Sequence, residues 1–255
     1  MRYENFEAVR KQYYTNFDDF EERRRYYSNC DVLGLPNDRS LPELGYPPKL
    51  EQRWIKYNNN PNADSCVLVL PGRSNHAGEI ASVYRDMGVK SLIIGITPTI
   101  RSWYPMPNGI NDQSAAVEGI KPAIGVIEEV IQTIETKKGI PRNRMILSGH
   151  SAGAVMAIMT AIYSPQPFAA VISHCGAVLN VDDIPECQCP ETVFLLTHSR
   201  DDLIFDWYER FVPMFATLKE KKYKVYTAIA KDAGHCITER QFELSKYLIE
   251  KCFKC

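Results

Sequence analysis

Apolar residues in this chain gather into short unbroken runs, and between the runs they recur every three or four positions. Six runs have strand length: Cys66-Val67-Leu68-Val69-Leu70, Ser91-Leu92-Ile93-Ile94-Gly95-Ile96, Arg144-Met145-Ile146-Leu147-Ser148, Ala169-Ala170-Val171-Ile172-Ser173, Thr192-Val193-Phe194-Leu195-Leu196 and Val225-Tyr226-Thr227-Ala228-Ile229. A run that is apolar at successive positions has no solvent side, so it belongs to a sheet covered on both faces. A leading strand is expected at 53–57. The helical spacing predicts helices near 79–87, 112–137, 154–162, 206–222 and 239–251. Strand and helix alternate, which predicts an α/β chain with a mostly parallel central sheet and helices on both faces. Reactive groups in such a sheet collect at the carboxyl ends of its strands.

The first 60 residues are different. Phe6, Val9, Tyr13, Phe17 and Phe20 recur at helical spacing, so one or two amphipathic helices are expected up to about residue 28. Arg23-Arg24-Arg25 reads as a solvated face. Pro36, Pro42, Pro47 and Pro48, with Gly34 and Gly45, predict an extended loop over 31–50. The expected organisation is an N-terminal helical and Pro-rich extension, 1–60, packed on an α/β domain, 61–255.

Composition narrows the function. The chain has 255 residues, 45% hydrophobic and 24% charged, with a net charge of −1. A core of this size needs no crosslinks. The charge balance gives no basis for binding nucleic acid or an acidic membrane surface. No apolar run approaches the roughly 18 residues of a membrane span. The opening Met1-Arg2-Tyr3-Glu4-Asn5-Phe6-Glu7 lacks the apolar core of a secretory signal, so a cytoplasmic location is the expectation. The short-spaced thiols Cys187-Gln188-Cys189 and Cys252-Phe253-Lys254-Cys255 are conceivable zinc or disulfide sites. C-x-C is a poor match to zinc-ligand spacing, however, and free thiols and no metal are expected.

Candidate chemistry centres on Gly149-His150-Ser151-Ala152-Gly153, a G-x-S-x-G pattern with a strand run before it and a helical run after it. That context makes a nucleophile elbow, a tight strand-to-helix turn that exposes the serine above the sheet. A serine needs a base, and the base needs an acid to fix its tautomer. His235, in Asp232-Ala233-Gly234-His235 after the last strand, is the expected base. The acid should follow the strand that ends at Leu196. Asp202 is preferred because Leu203-Ile204-Phe205 anchors it. Asp201 reads as a solvated neighbour, and Asp206 remains an alternative. Oxyanion donors are expected at the N–H groups of Ala152 and Arg73, with Gly72 allowing close approach. The Arg73 side chain either holds an acidic group of a substrate or makes a surface salt bridge.

Four segments carry a family resemblance over about 65–250: Leu68-Val69-Leu70-Pro71-Gly72-Arg73, Arg101-Ser102-Trp103-Tyr104, the elbow with its strand, and Asp202 with Gly234-His235. Together they resemble the phospholipase/carboxylesterase family of α/β-hydrolases, which includes acyl-protein thioesterases and small bacterial carboxylesterases. The resemblance implies the α/β-hydrolase fold, a Ser151-Asp202-His235 triad, and an oxyanion hole from Arg73 and Ala152. It also implies that Trp103 and Tyr104 line a pocket for an acyl or alcohol group, where packing beneath a loop is the plainer reading. Met106 extends that apolar loop, and Gly72 and His150 complete the expected substrate-binding set. The chain departs from the family at Pro71-Gly72, Ala152 and His198-Ser199, where His-Gly, Gln after the serine, and His-Gly are usual. The stretch before residue 60 lies outside the match and could serve as a cap, an oligomer contact or surface cover.

The expected function is hydrolysis of a small-molecule ester with an apolar part, through an acyl-enzyme, without metal or organic cofactor. Thioester hydrolysis, peptidase, C–C hydrolase or lyase chemistry, and a non-catalytic binding role are the alternatives. An oligomer is left open.

Overall fold

The computed structural model describes residues 47–51, 55–58, 60, 62–105 and 114–253. The helices expected before residue 28, most of the Pro-rich stretch, Met106 and Cys255 fall outside the described residues.

Among the described residues seven strands form one sheet: β1 (Ile55–Lys56), β2 (Cys66–Leu70), β3 (Leu92–Gly95), β4 (Met145–His150), β5 (Ala170–His174), β6 (Val193–Ser199) and β7 (Lys224–Ala230). Their order is β1-β3-β2-β4-β5-β6-β7, with β1 antiparallel and every other pairing parallel. Among the described residues five α-helices accompany them: α1 (Gly78–Asp86), α2 (Ser114–Lys138), α3 (Ala152–Tyr163), α4 (Val212–Glu220) and α5 (Glu239–Cys252). The strand at Ile55–Lys56 lies inside the stretch read as an extension, so the sheet begins before residue 61. Ahead of it, Glu51 N–H donates to Thr97 O at 3.0 Å and Thr99 N–H to Lys49 O at 2.7 Å, which lays 47–51 along the loop after β3.

Alternate residues of each buried strand feed two cores. Leu68, Leu70, Ile94 and Leu147 pack with Ile127 and Ile131 of α2, Val155 of α3 and Met214 of α4. Val67, Val69, Ile93 and Ile146 pack with Tyr84 of α1 and Phe242 and Ile249 of α5. This is the side-to-side alternation of a pleated strand. Among the described residues no helix is long and apolar enough to cross a membrane.

The register aligns the strand ends that carry chemistry. Leu70 pairs with Gly149, His150 with His174, and His174 with Thr197. β3 lies on one side of β2 and β4 on the other, so the chain leaving β2 and the chain leaving β4 turn opposite ways and open a crevice between them. Two element starts differ from expectation. α3 begins at Ala152 rather than 154, because the turn is completed within Ser151 itself. The expected helix over 206–222 opens as a π-helical turn, Trp207–Phe211, capped by Asp206, whose Oδ1 accepts from Tyr208 N at 2.7 Å and Glu209 N at 2.9 Å.

Candidate active site

Ser151 has φ 54° and ψ −121°, a left-handed-side conformation that non-glycine residues adopt at a cost of about 1–3 kcal/mol. Its N–H donates to His174 O at 2.9 Å and its carbonyl accepts from Val155 N at 3.0 Å. The flanking glycines are required by space. A Cβ on Gly149 would lie 2.2 Å from Gly153 O, and one on Gly153 would lie 2.1 Å from Leu70 O. Ala152 is the first residue of α3, where a backbone N–H has no acceptor within its own helix.

The loop after β2 lies against this turn. A Cβ on Gly72 would meet the Ser151 Cβ and His150 Nδ1 at 3.2 Å each. Trp103 secures the loop by donating Nε1–H to Pro71 O at 2.8 Å. Arg73 Nη2 donates to Tyr104 O at 3.4 Å, and Ser102 Oγ donates to the same oxygen at 2.8 Å. The Arg73 guanidinium therefore braces the neighbouring loop, a contact expected of neither reading of that side chain. Trp103 and Tyr104 are fully buried and share the core with Val155 and Met156, which places their rings beneath the loop.

Asp202 and His235 come from the turns after β6 and β7 and meet at 2.8 Å, Oδ2 to Nδ1. Asp202 is buried, and its Oδ1 accepts from Ile204 N at 2.8 Å and Phe205 N at 3.1 Å. The apolar residues after it do anchor it, through their backbone. Asp201 is not a solvated neighbour: its Oδ1 accepts from Ser199 Oγ at 2.5 Å and from Gly234 N at 2.8 Å, tying the acid's turn to the histidine's.

Three further histidines surround the pair, and the sequence reading gave a role to only one. His150 donates Nε2–H to His235 O at 3.2 Å, with the two rings 5.1 Å apart. His198 donates Nε2–H to Phe205 O at 2.8 Å, stands 3.7 Å from Asp202 Oδ2, and stacks on Phe211 at 4.5 Å. His174 bridges Tyr84 Oη at 3.1 Å and Thr197 Oγ1 at 2.8 Å, and Tyr84 also meets Ser148 Oγ at 2.9 Å. Burial pushes the His174 pKa down to about 3 and those of His150 and His198 below the usual value, so all three are neutral near pH 7. His198 stands four positions before the acid in the sequence, whereas His174 carries no local signal of its contacts. The remaining neighbour is Cys175, whose thiol donates to Cys236 O at 3.3 Å. The thiols at Cys187, Cys189 and Cys252 are free, and among the described residues they join no metal-binding cluster.

Chemically, the arrangement couples a carboxylate to one nitrogen of an imidazole and leaves the other nitrogen as the basic one. A hydroxyl stands on a strained turn at the same edge of the sheet.

The family model described as phospholipase/carboxylesterase matches residues 96–253, more than half of the chain. In structure the chain is similar to the esterase PE8, with TM-score 0.68 and 18% identity over 80% of this chain and 100% of that one. A phospholipase/carboxylesterase from Dyadobacter fermentans gives 0.68 and 19%, over 79% and 97%. A carboxylesterase from Bacillus cereus gives 0.68 and 12%, over 84% and 100%. At such identities the structural likeness speaks for the fold. β2 and the Gly72 loop lie ahead of the residues matched by the family model.

Proposed function

Since the chain belongs to the phospholipase/carboxylesterase family of α/β-hydrolases, we propose that it is a serine ester hydrolase acting through Ser151, His235 and Asp202. The observation that carries the reading is the 2.8 Å bond between His235 Nδ1 and the buried Asp202 carboxylate, at the same sheet edge as the strained Ser151 turn. Asp202 holds the imidazole in the tautomer whose Nε2 accepts a proton. Nε2 takes the Ser151 proton as Oγ attacks the ester carbonyl. The N–H groups of Ala152 and Arg73 receive the oxyanion, and His235 returns the proton to the leaving alcohol. Water then repeats the sequence on the acyl-enzyme. Gly72 and His150 form the floor beside the serine. Trp103 and Tyr104 stiffen the wall on which an apolar acyl or alcohol group rests. The catalytic domain takes in the sheet from β1 at Ile55–Lys56 onward.

The test is hydrolysis of p-nitrophenyl acetate and octanoate by wild type, Ser151→Ala and Asp202→Asn. Ser151→Ala should fall to background. Asp202→Asn should lose about 10⁴-fold in kcat, by analogy with the serine-protease triad in which that substitution upsets the tautomer. Folded wild type that neither turns over these esters nor is labelled by a fluorophosphonate would overturn the reading. An acyl-thioester included in the panel decides between the two leaving groups.

A further inference from the structure

The proposed mechanism uses Asp202 and His235 and has no use for the buried thiol beside them. Cys175 directly follows β5 in a left-handed conformation, φ 51°, and is fully buried. Its thiol and one donor atom each from Asp202 and His235 all lie within 4.8 Å of one another. Asp202 and His235 already approach to 2.8 Å.

This donor set has a definite preference. Magnesium and calcium favour oxygen ligands, whereas a thiolate with an imidazole suits zinc and other thiophilic transition metals. Zinc bonds are about 2.3 Å to sulfur and about 2.0–2.2 Å to nitrogen or oxygen. In a tetrahedron those lengths put donors roughly 3.3–3.7 Å apart. The acid–base pair has to open slightly and the sulfur has to move in by about 1 Å, which a side-chain adjustment supplies. All three side chains are buried, His235 the least so.

We propose that Cys175, Asp202 and His235 form a site for a single thiophilic divalent cation, zinc above all, which inhibits the enzyme by capturing its acid–base pair. Inhibition rests on the ester-hydrolase reading; the binding site does not. The cation takes three protein ligands and one water. Binding releases the Cys175 thiol proton and the His235 Nδ1 proton to solvent. With the cation in place of that proton, the imidazole is no longer held by Asp202 as a base.

Cobalt(II) provides a readout independent of turnover, because thiolate coordination produces an ultraviolet charge-transfer band. Wild type should bind one cobalt ion with that band, and Cys175→Ser, which keeps a donor toward Cys236 O, should lose it. Zinc should inhibit wild-type ester hydrolysis, and the metal-free Cys175→Ser enzyme should be active yet about tenfold or more less sensitive, the scale on which such ligand changes act. If Cys175→Ser fails to fold by circular dichroism, His235→Gln serves for the cobalt measurement and should also abolish the band. The proposal is overturned if no thiolate band forms, or if it survives in these variants. A Cys175-dependent band in a protein that hydrolyses no ester would uphold the metal site and reject the ester-hydrolase reading.

Discussion

Three residues in the elbow are fixed by space and backbone angle rather than by their side-chain chemistry. Gly149 and Gly153 leave no room for a methyl group, and Ser151 is the residue between them that takes the unfavourable φ. Gly153→Ala should therefore destabilise the fold by about 3 kcal/mol or more, because the clash is with the Leu70 backbone rather than with a side chain that can swing away. Urea denaturation measures this, and an unchanged midpoint would mean that the turn can relax. The preference for Asp202 over Asp201 was readable from the apolar residues that follow it. Asp201's bond to Gly234 was not, because it joins turns more than thirty positions apart.

Among the elements, α2 and the segment entering β4 are joined by an ion pair that periodicity does not reveal. Arg142 is buried and holds both carboxylate oxygens of Glu128, at 3.0 and 2.6 Å. It also donates to Ser164 Oγ at 2.9 Å and lies 5.3 Å above the Phe168 ring. One side chain thus links α2, the end of α3 and the start of β5. Arg142→Ala should cost about 3 kcal/mol, the loss seen when one partner of a buried pair is removed. Adding Glu128→Ala should recover part of it. Strictly additive losses in a double-mutant cycle would show that the pair is not coupled. Helix and strand types followed from apolar spacing almost throughout. Their ends were set by particular bonds instead, such as the Thr238–Gln241 capping box that starts α5. Gln241 also donates Nε2–H to His198 O and Ala228 O, so the cap belongs to the sheet as much as to the helix.

For the molecule as a whole, the neutral histidines under the site imply acid sensitivity. His150, His174 and His198 have native pKa values below the ordinary 6.5. Below that pH the unfolded chain takes up protons that the folded chain refuses. Their contribution is thus complete above about pH 6.5 and is lost as pH falls, for His174 down to about 3. Each such group gives a slope of about 1.4 kcal/mol per pH unit within its window. Glu79 acts in the opposite sense. Burial raises its pKa to about 7, so its contribution is present below 4.5 and fades as pH rises through 7. Urea midpoints should fall between pH 6.5 and 4.5, and His174→Gln should flatten that fall. An identical pH profile in the variant would assign the sensitivity elsewhere.

Strand and helix periods and the elbow motif were evident from the sequence alone, because each depends on residues within about ten positions of one another. A run such as Cys66–Leu70 is apolar at every position because it has no solvent side, and Gly-x-Ser-x-Gly is bounded by its own turn. The packing of Gly72 against Ser151, the approach of His198 to Asp202, the neutral His174 and the thiol of Cys175 beside the acid–base pair were decided only in three dimensions. They depend on parallel strands from distant parts of the chain ending at one level, and contacts between groups brought together in that way leave no local pattern in the residues that make them.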